Sequence, residues 1–181
     1  MLQPLSDKEL APMFRKYYKL FTNSSRAPSI KIFKFGDGAN QNKVLNYDRV
    51  IIYYPTERTP RGLFGHYVCM CRDNRNKIYY YFDPVGSKPD ATKLEAEDGL
   101  YHPYESLAQS LLTRLQSSDW QLDFSNHHLQ PKGNSDSCGY WCILRLIFAN
   151  LSGDQFAHQV RDWAKLGGYR NAEDFVQHLF R

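Results

Sequence analysis

The sequence predicts a mixed helix-and-sheet fold built round one buried helix. From Cys138 to Asn150 nearly every residue is apolar and Arg145 is the only charge, a pattern that belongs inside a domain rather than on its surface. Val50 to Tyr54, Tyr67 to Arg72 and Lys77 to Phe82 are short runs of strand length bounded by turn residues. Aromatic residues make up 15% of the chain, which suits a core containing a sheet.

The elements follow in order. Ser6, Asp7, Lys8 and Glu9 have the spacing of a capping box and open a helix to about Phe21, with Pro12 as a kink or as its first turn. Ser29 to Phe35 alternates as a strand does, and Gly36 to Asn40 breaks it. The apolar run from Val50 is expected to end as a buried strand at Pro55. Tyr67–Arg72 and Lys77–Phe82 flank Asp73-Asn74-Arg75-Asn76 and read as a β-hairpin. Pro84 to Pro103 reads as a loop with an acidic middle at Glu95, Glu97 and Asp98. Leu107, Leu111, Leu112 and Leu115 have helical spacing within Tyr104–Gln116. Trp120, Leu122 and Phe124 alternate as a strand that feeds the loop carrying Gln130. Asp154 and Asn171 are the expected caps of two terminal helices.

No repeat or linker divides the chain, so one domain over residues 1–181 is expected, with a motif-bearing core at about 48–152. A domain of this size buries roughly 70% of its unfolded surface and needs neither metal nor disulfide to hold it. No apolar stretch has signal-peptide or membrane-spanning form, so a protein that is not secreted and has no membrane partner is expected. The four cysteines then read as free thiols of a reducing compartment. The net charge of +4 is mild and its basic residues are scattered. Arg15-Lys16-Tyr17-Tyr18-Lys19, and Lys31 and Lys34 about Phe33, read either as solvated faces or as tracks for a phosphate backbone.

The chemistry centres on Cys138. Pro131, Gly133 and Asn134-Ser135-Asp136-Ser137 mark a loop, and Asp136 or Ser137 can cap a helix starting at about Cys138. A first helical turn favours thiolate over thiol, and Gly139 removes a side chain where a substrate would approach. The alternative is an inert cysteine at the start of a core helix.

The hairpin brings in two further groups. With its turn centred between Asn74 and Arg75, Arg72 faces Lys77, Met70 faces Tyr79, and His66 faces Asp83. Cross-strand neighbours have Cβ atoms about 4.5–5.5 Å apart, so Asp83 can orient His66 while its other nitrogen serves Cys138 as base. Gln130, just before the nucleophile, is placed to join the Cys138 N–H in an oxyanion hole. A zinc site is disfavoured because Cys69 and Cys71 point away from the His66 face and Cys-x-Cys lacks structural-zinc spacing; they read as core, as does Cys142. No metal and no cofactor is expected. His127 and His128 are the competing bases, lacking a carboxylate placed by comparable geometry.

The order His66, Asp83, Gln130, Cys138 resembles the adenain-like and SUMO-protease-like clan of cysteine proteases. The nearer likeness is to the maturation proteases of adenovirus, virophages and large DNA viruses. It lies in Gly65-His66-Tyr67, Tyr80 to Gly86, Tyr104-Glu105-Ser106-Leu107, and Gln130 through Cys138-Gly139 to Phe148-Ala149-Asn150.

The resemblance implies a papain-like α+β fold of the adenain type, a core helix packed on a mostly antiparallel sheet with flanking helices. It implies a catalytic set of His66, Asp83, Gln130 and Cys138, and a narrow cleft preferring glycine near the cut, with Tyr67, Gly139 and Trp141 at the substrate. Tyr67 stands where the family usually has tryptophan. No cysteine lies between Pro103 and Gln130, so the disulfide-linked activating peptide of the adenovirus enzyme does not carry over. A peptide or DNA activator is left open as a partner class. The expected function is cleavage of viral polyprotein or capsid precursors, in the virion or the infected-cell cytoplasm or nucleus. Its alternative is release of ubiquitin or a ubiquitin-like protein from conjugates. A catalytically silent binding domain and an acyltransferase are the remaining readings.

Overall fold

A computed structural model describes residues 2–34, 41–59, 62–89, 107–131 and 136–181. The Pro84–Pro103 loop beyond Pro89, Tyr104 to Ser106, His102 and Gly133 to Ser135 fall outside the described residues.

Helix α1 (Asp7–Thr22) begins at Ser6, whose backbone N–H and hydroxyl both donate to the Glu9 carboxylate, at 2.8 and 2.6 Å. Pro12 lies inside it, in the second turn. Strand β1 (Lys31–Lys34) and the short α2 (Gln41–Val44) lead to β2 (Arg49–Thr59), β3 (Gly62–Asp73) and β4 (Ile78–Phe82). Then come α3 (Leu107–Gln116), β5 (Gln121–Ser125), α4 (Cys138–Ile147), α5 (Gly153–Leu166) and α6 (Ala172–Leu179).

The five strands form one sheet in the order β1-β2-β3-β4-β5. The architecture is α+β, with the core helix on the sheet and helices flanking it. The sheet is mostly antiparallel, as expected: β2–β3 and β3–β4 carry most of the paired residues in antiparallel ladders, and the edges β1 and β5 add parallel to β2 and β4. Strand β2 does not stop at Pro55. It continues to Thr59 through a register irregularity between Pro55 and Glu57, which lets a residue without an N–H stay within the ladder.

The two faces of the sheet pack separately. Tyr67, Cys69, Cys71, Tyr80 and Phe82 lie with α4 and with buried residues of α1, α5 and α6. Val50, Ile52, Val68, Met70, Tyr79 and Tyr81 lie with Leu107 and Leu111 of α3 and with Val44 and Leu45. All ten residues of α4 are buried. Arg145 is tolerated there because its guanidinium donates to the Phe148 and Leu151 carbonyls, both at 2.8 Å, and lies over the rings of Tyr80 and Phe156. It thereby ties the end of α4 to the turn that follows it, where the Phe148 carbonyl also accepts the Leu151 N–H at 3.1 Å.

The caps of the last helices differ in part from expectation. Asn171 caps α6, accepting from the Asp174 N–H at 2.8 Å. Ser152, not Asp154, caps α5, with Gln155 completing a capping box. Among the described residues no helix is long and apolar enough to cross a membrane.

Candidate active site

Cys138 opens α4 and is 9% exposed. Ser137 precedes it with αR backbone angles and makes no side-chain capping bond, because its hydroxyl donates instead to the Glu173 carboxylate at 2.7 and 3.0 Å. The same carboxylate accepts from the Trp141 indole N–H at 2.7 Å and from the Gln177 amide at 2.9 Å. Glu173 is 5% exposed, so donors from Ser137, α4 and α6 meet on one buried carboxylate beside the start of α4.

His66 and Asp83 meet, though not by the predicted register. The β3–β4 ladder pairs Asp73 with Ile78, Arg72 with Tyr79, Met70 with Tyr81 and Cys69 with Phe82. The turn is longer than two residues because the Asp73 carboxylate collects the N–H groups of Arg75 and Asn76 and the Asn76 amide, while Lys77 takes a left-handed φ of 56°. Each strand is thus displaced by one residue, and Asp83 lies beyond β4, diagonal to His66 rather than opposite it. A shift shared between both strands keeps the two on one face, and diagonal neighbours remain within reach of a ring and a carboxylate.

The contact is short: His66 Nε2 lies 2.7 Å from Asp83 Oδ1, and Asp83 is fully buried. Asp83 Oδ1 also accepts the Val85 N–H at 2.9 Å, and the Asp83 carbonyl accepts from Gly86, whose φ of 74° closes the turn. With Nε2 taken, Nδ1 is the nitrogen left for Cys138. Burial works against a charged ring, but the hydrogen bonds to Asp83 and Cys138 outweigh it and push the His66 pKa up to about 10.

Gln130 is 4% exposed, on a loop strapped to the Asp83 turn: the Leu129 and Gln130 N–H groups both donate to the Pro84 carbonyl, at 3.0 and 2.9 Å. Gly86 has no room for a side chain, since a Cβ there would lie 2.8 Å from the Asn126 carbonyl and 3.1 Å from the His128 ring. The turn holding Asp83 and the loop carrying Gln130 are one packed unit.

The three residues expected at the substrate are all buried. Trp141 is wholly buried and donates its indole N–H to Glu173. A Cβ on Gly139 would meet Leu10 and Leu5 at 3.3–3.4 Å, so the missing side chain makes room for the N-terminal segment. Tyr67 packs on Tyr53 with ring centroids 5.0 Å apart and donates its hydroxyl to Asp7 at 2.6 Å. Burial and this bond raise its pKa above the ordinary phenol range. Gly65 permits this packing: a Cβ there would strike the Tyr53 ring at 2.3 Å.

The remaining cysteines are core. Cys69, Cys71 and Cys142 are at most 2% exposed. Burial pushes the Cys71 thiol up to about 11, and burial with a bond to Cys69 raises Cys142 well above the usual thiol value. His127 does have a carboxylate, Asp154 at 2.8 Å, but that pair lies on the surface; His158 pairs with Asp162 at 3.5 Å.

Glu173 was not singled out by the sequence, where it is one acid of an amphipathic terminal helix. The only signal was its place two residues after the cap Asn171, on the first turn of α6.

No protein-family profile matches the chain. A protein of the Sputnik virophage, described as uncharacterized protein V9, is 27% identical over 106 residues, which is 55% of this chain and 57% of that protein. The chain thus matches a little over half the length of that curated relative. Among solved structures, ChlaDub1 from Chlamydia trachomatis is 14% identical with a TM-score of 0.44, over 86% of this chain and 84% of its own. The Legionella pneumophila effector protein RavZ is 15% identical with a TM-score of 0.31, over 81% and 59%.

Proposed function

We propose that the chain is a cysteine hydrolase that cleaves an amide bond in a protein substrate. The observation that carries this reading is the ring of His66, bonded through Nε2 to buried Asp83 and on its other side to Cys138 at the start of α4.

The steps follow from that arrangement. The Cys138 sulfur, its proton held by His66, attacks the carbonyl carbon. The oxyanion accepts from the Cys138 N–H and the Gln130 side-chain amide. His66 gives its proton to the departing amine, leaving a thioester. Water then loses a proton to His66 and attacks the thioester carbon; the C–S bond breaks, Cys138 leaves as the thiolate beside protonated His66, and the acid product is released. Precursor processing in a viral setting and removal of a ubiquitin-like modifier both use this chemistry, and differ only in the surface that holds the substrate.

The test is alkylation with limiting iodoacetamide from about pH 5 to about pH 9, followed by peptide mapping. Cys138 should react selectively well below the free-thiol pKa of about 8.5, and His66→Gln should remove that advantage. Slow labelling without preference for Cys138 would overturn the reading. A ubiquitin-type probe with an electrophilic C-terminus, set against glycine-containing precursor peptides, then separates the substrate classes.

A further inference from the structure

The N-terminal segment closes one side of Cys138, through Leu5 and Leu10 on Gly139 and Asp7 on Tyr67. On the Gln130 side the surface opens instead. A cavity of about 490 Å³ is lined by Gln130, Pro131 and Glu173, and its inner end reaches Ser137 through the Glu173 hydrogen bond. A second, of about 520 Å³, shares His128, Leu129 and Asn171 with the first and runs on between α5 and the start of α6. The two adjoin at these shared residues and together make a groove that runs from Gln130 to α5.

Its outer part is cationic. Arg161 and Lys165 stand one turn apart on α5, both exposed, and neither has an ion pair among the described residues. Arg170 joins them, held in place by Asp174 at 2.8 and 3.2 Å. Among the described residues no carboxylate lines this outer cavity.

We propose that the groove is a subsite for an acidic stretch of the protein substrate, lying beside the scissile bond on the Gln130 side. That the bound stretch belongs to a substrate with a scissile bond rests on the proposed hydrolase activity; binding itself needs no turnover. A peptide suits the groove better than a nucleic acid. The ring beside the cations, Tyr169, is already packed against Phe175 and His178, at 5.6 and 5.2 Å, so it presents no stacking platform for bases. Two cations one turn apart match a short acidic cluster rather than a continuous phosphate backbone.

The test is fluorescence anisotropy with a fluorescein-labelled octaglutamate peptide and full-length Cys138→Ala protein. Binding should weaken as salt rises from about 50 to about 150 mM. Adding Arg161→Glu and Lys165→Glu should weaken it about tenfold or more. Lys16→Glu with Lys19→Glu, an equal charge change on exposed sites of α1, should alter it less than about twofold.

Equal losses in the two double variants would reduce the effect to net charge and overturn the subsite, as would a peptide that does not bind. Stronger, Arg161- and Lys165-dependent binding of a thymidine dodecamer would make the groove a nucleic-acid site instead. In the wild-type chain, saturating octaglutamate should slow iodoacetamide labelling of Cys138 severalfold; an unchanged rate would detach the groove from the nucleophile. Groove-dependent peptide binding together with an unreactive Cys138 would leave the groove standing and remove the hydrolase reading.

Discussion

At the scale of the residue, His66 is where burial and hydrogen bonding oppose one another most directly. Its pKa rises from 6.5 to about 10 on folding, so the folded chain holds that proton more tightly than the unfolded one. The resulting stabilisation is fully present below about pH 6.5 and is lost as pH rises towards 10. In urea denaturation, the stability gap between wild type and His66→Gln should be widest at about pH 6 and shrink through that window. A gap that stays constant from about pH 6.5 to about pH 10 would mean a neutral ring in the folded protein. Both His66 and Asp83 were legible in the sequence because strand alternation survives a shift of one residue in each strand. Their distance was not, because the Asp73 turn sets the register and its length is a matter of side-chain hydrogen bonds.

At the scale of the element, α4 is held at its two ends by groups of opposite charge, Glu173 near Cys138 and Arg145 near Phe148. Glu173→Gln keeps the shape but replaces an acceptor oxygen with a donor, stranding a buried donor from Ser137, Trp141 or Gln177. It should cost about 1–3 kcal/mol in urea denaturation. Trp141→Phe removes one of those donors, so the double variant should be more stable than the sum of the singles by about 0.5 kcal/mol or more. Simple additivity would show that the indole–carboxylate bond contributes nothing. The apolar run made α4 itself readable, and Ser137 as its first flanking residue. What the Ser137 hydroxyl does was hidden, since its partner lies 36 residues away.

At the scale of the whole molecule, the two faces of the sheet were not separable in advance. Sequence alternation identifies which side chains share a face of a strand, but β1 and β5 join the sheet in parallel through long connections that leave no local signature. The same holds for the chain's start, where Leu10 of α1 is wholly buried and lies beside Gly139. Leu10→Ala should destabilise the protein by about 2–5 kcal/mol by calorimetry or urea titration. A loss under about 1 kcal/mol would show that the N-terminal helix rests on the core without being part of it.

The placement of the four thiols gives the protein a built-in gauge of its own opening. Only Cys138 touches solvent at all appreciably, while Cys69, Cys71 and Cys142 lie between the sheet and α4. A reagent meeting the native chain therefore counts one sulfur, and it counts more only when the helix lifts from the sheet. The number of modified sulfurs per molecule, followed in time, separates chemistry at the surface from breathing of the interior, without a dye or an engineered label.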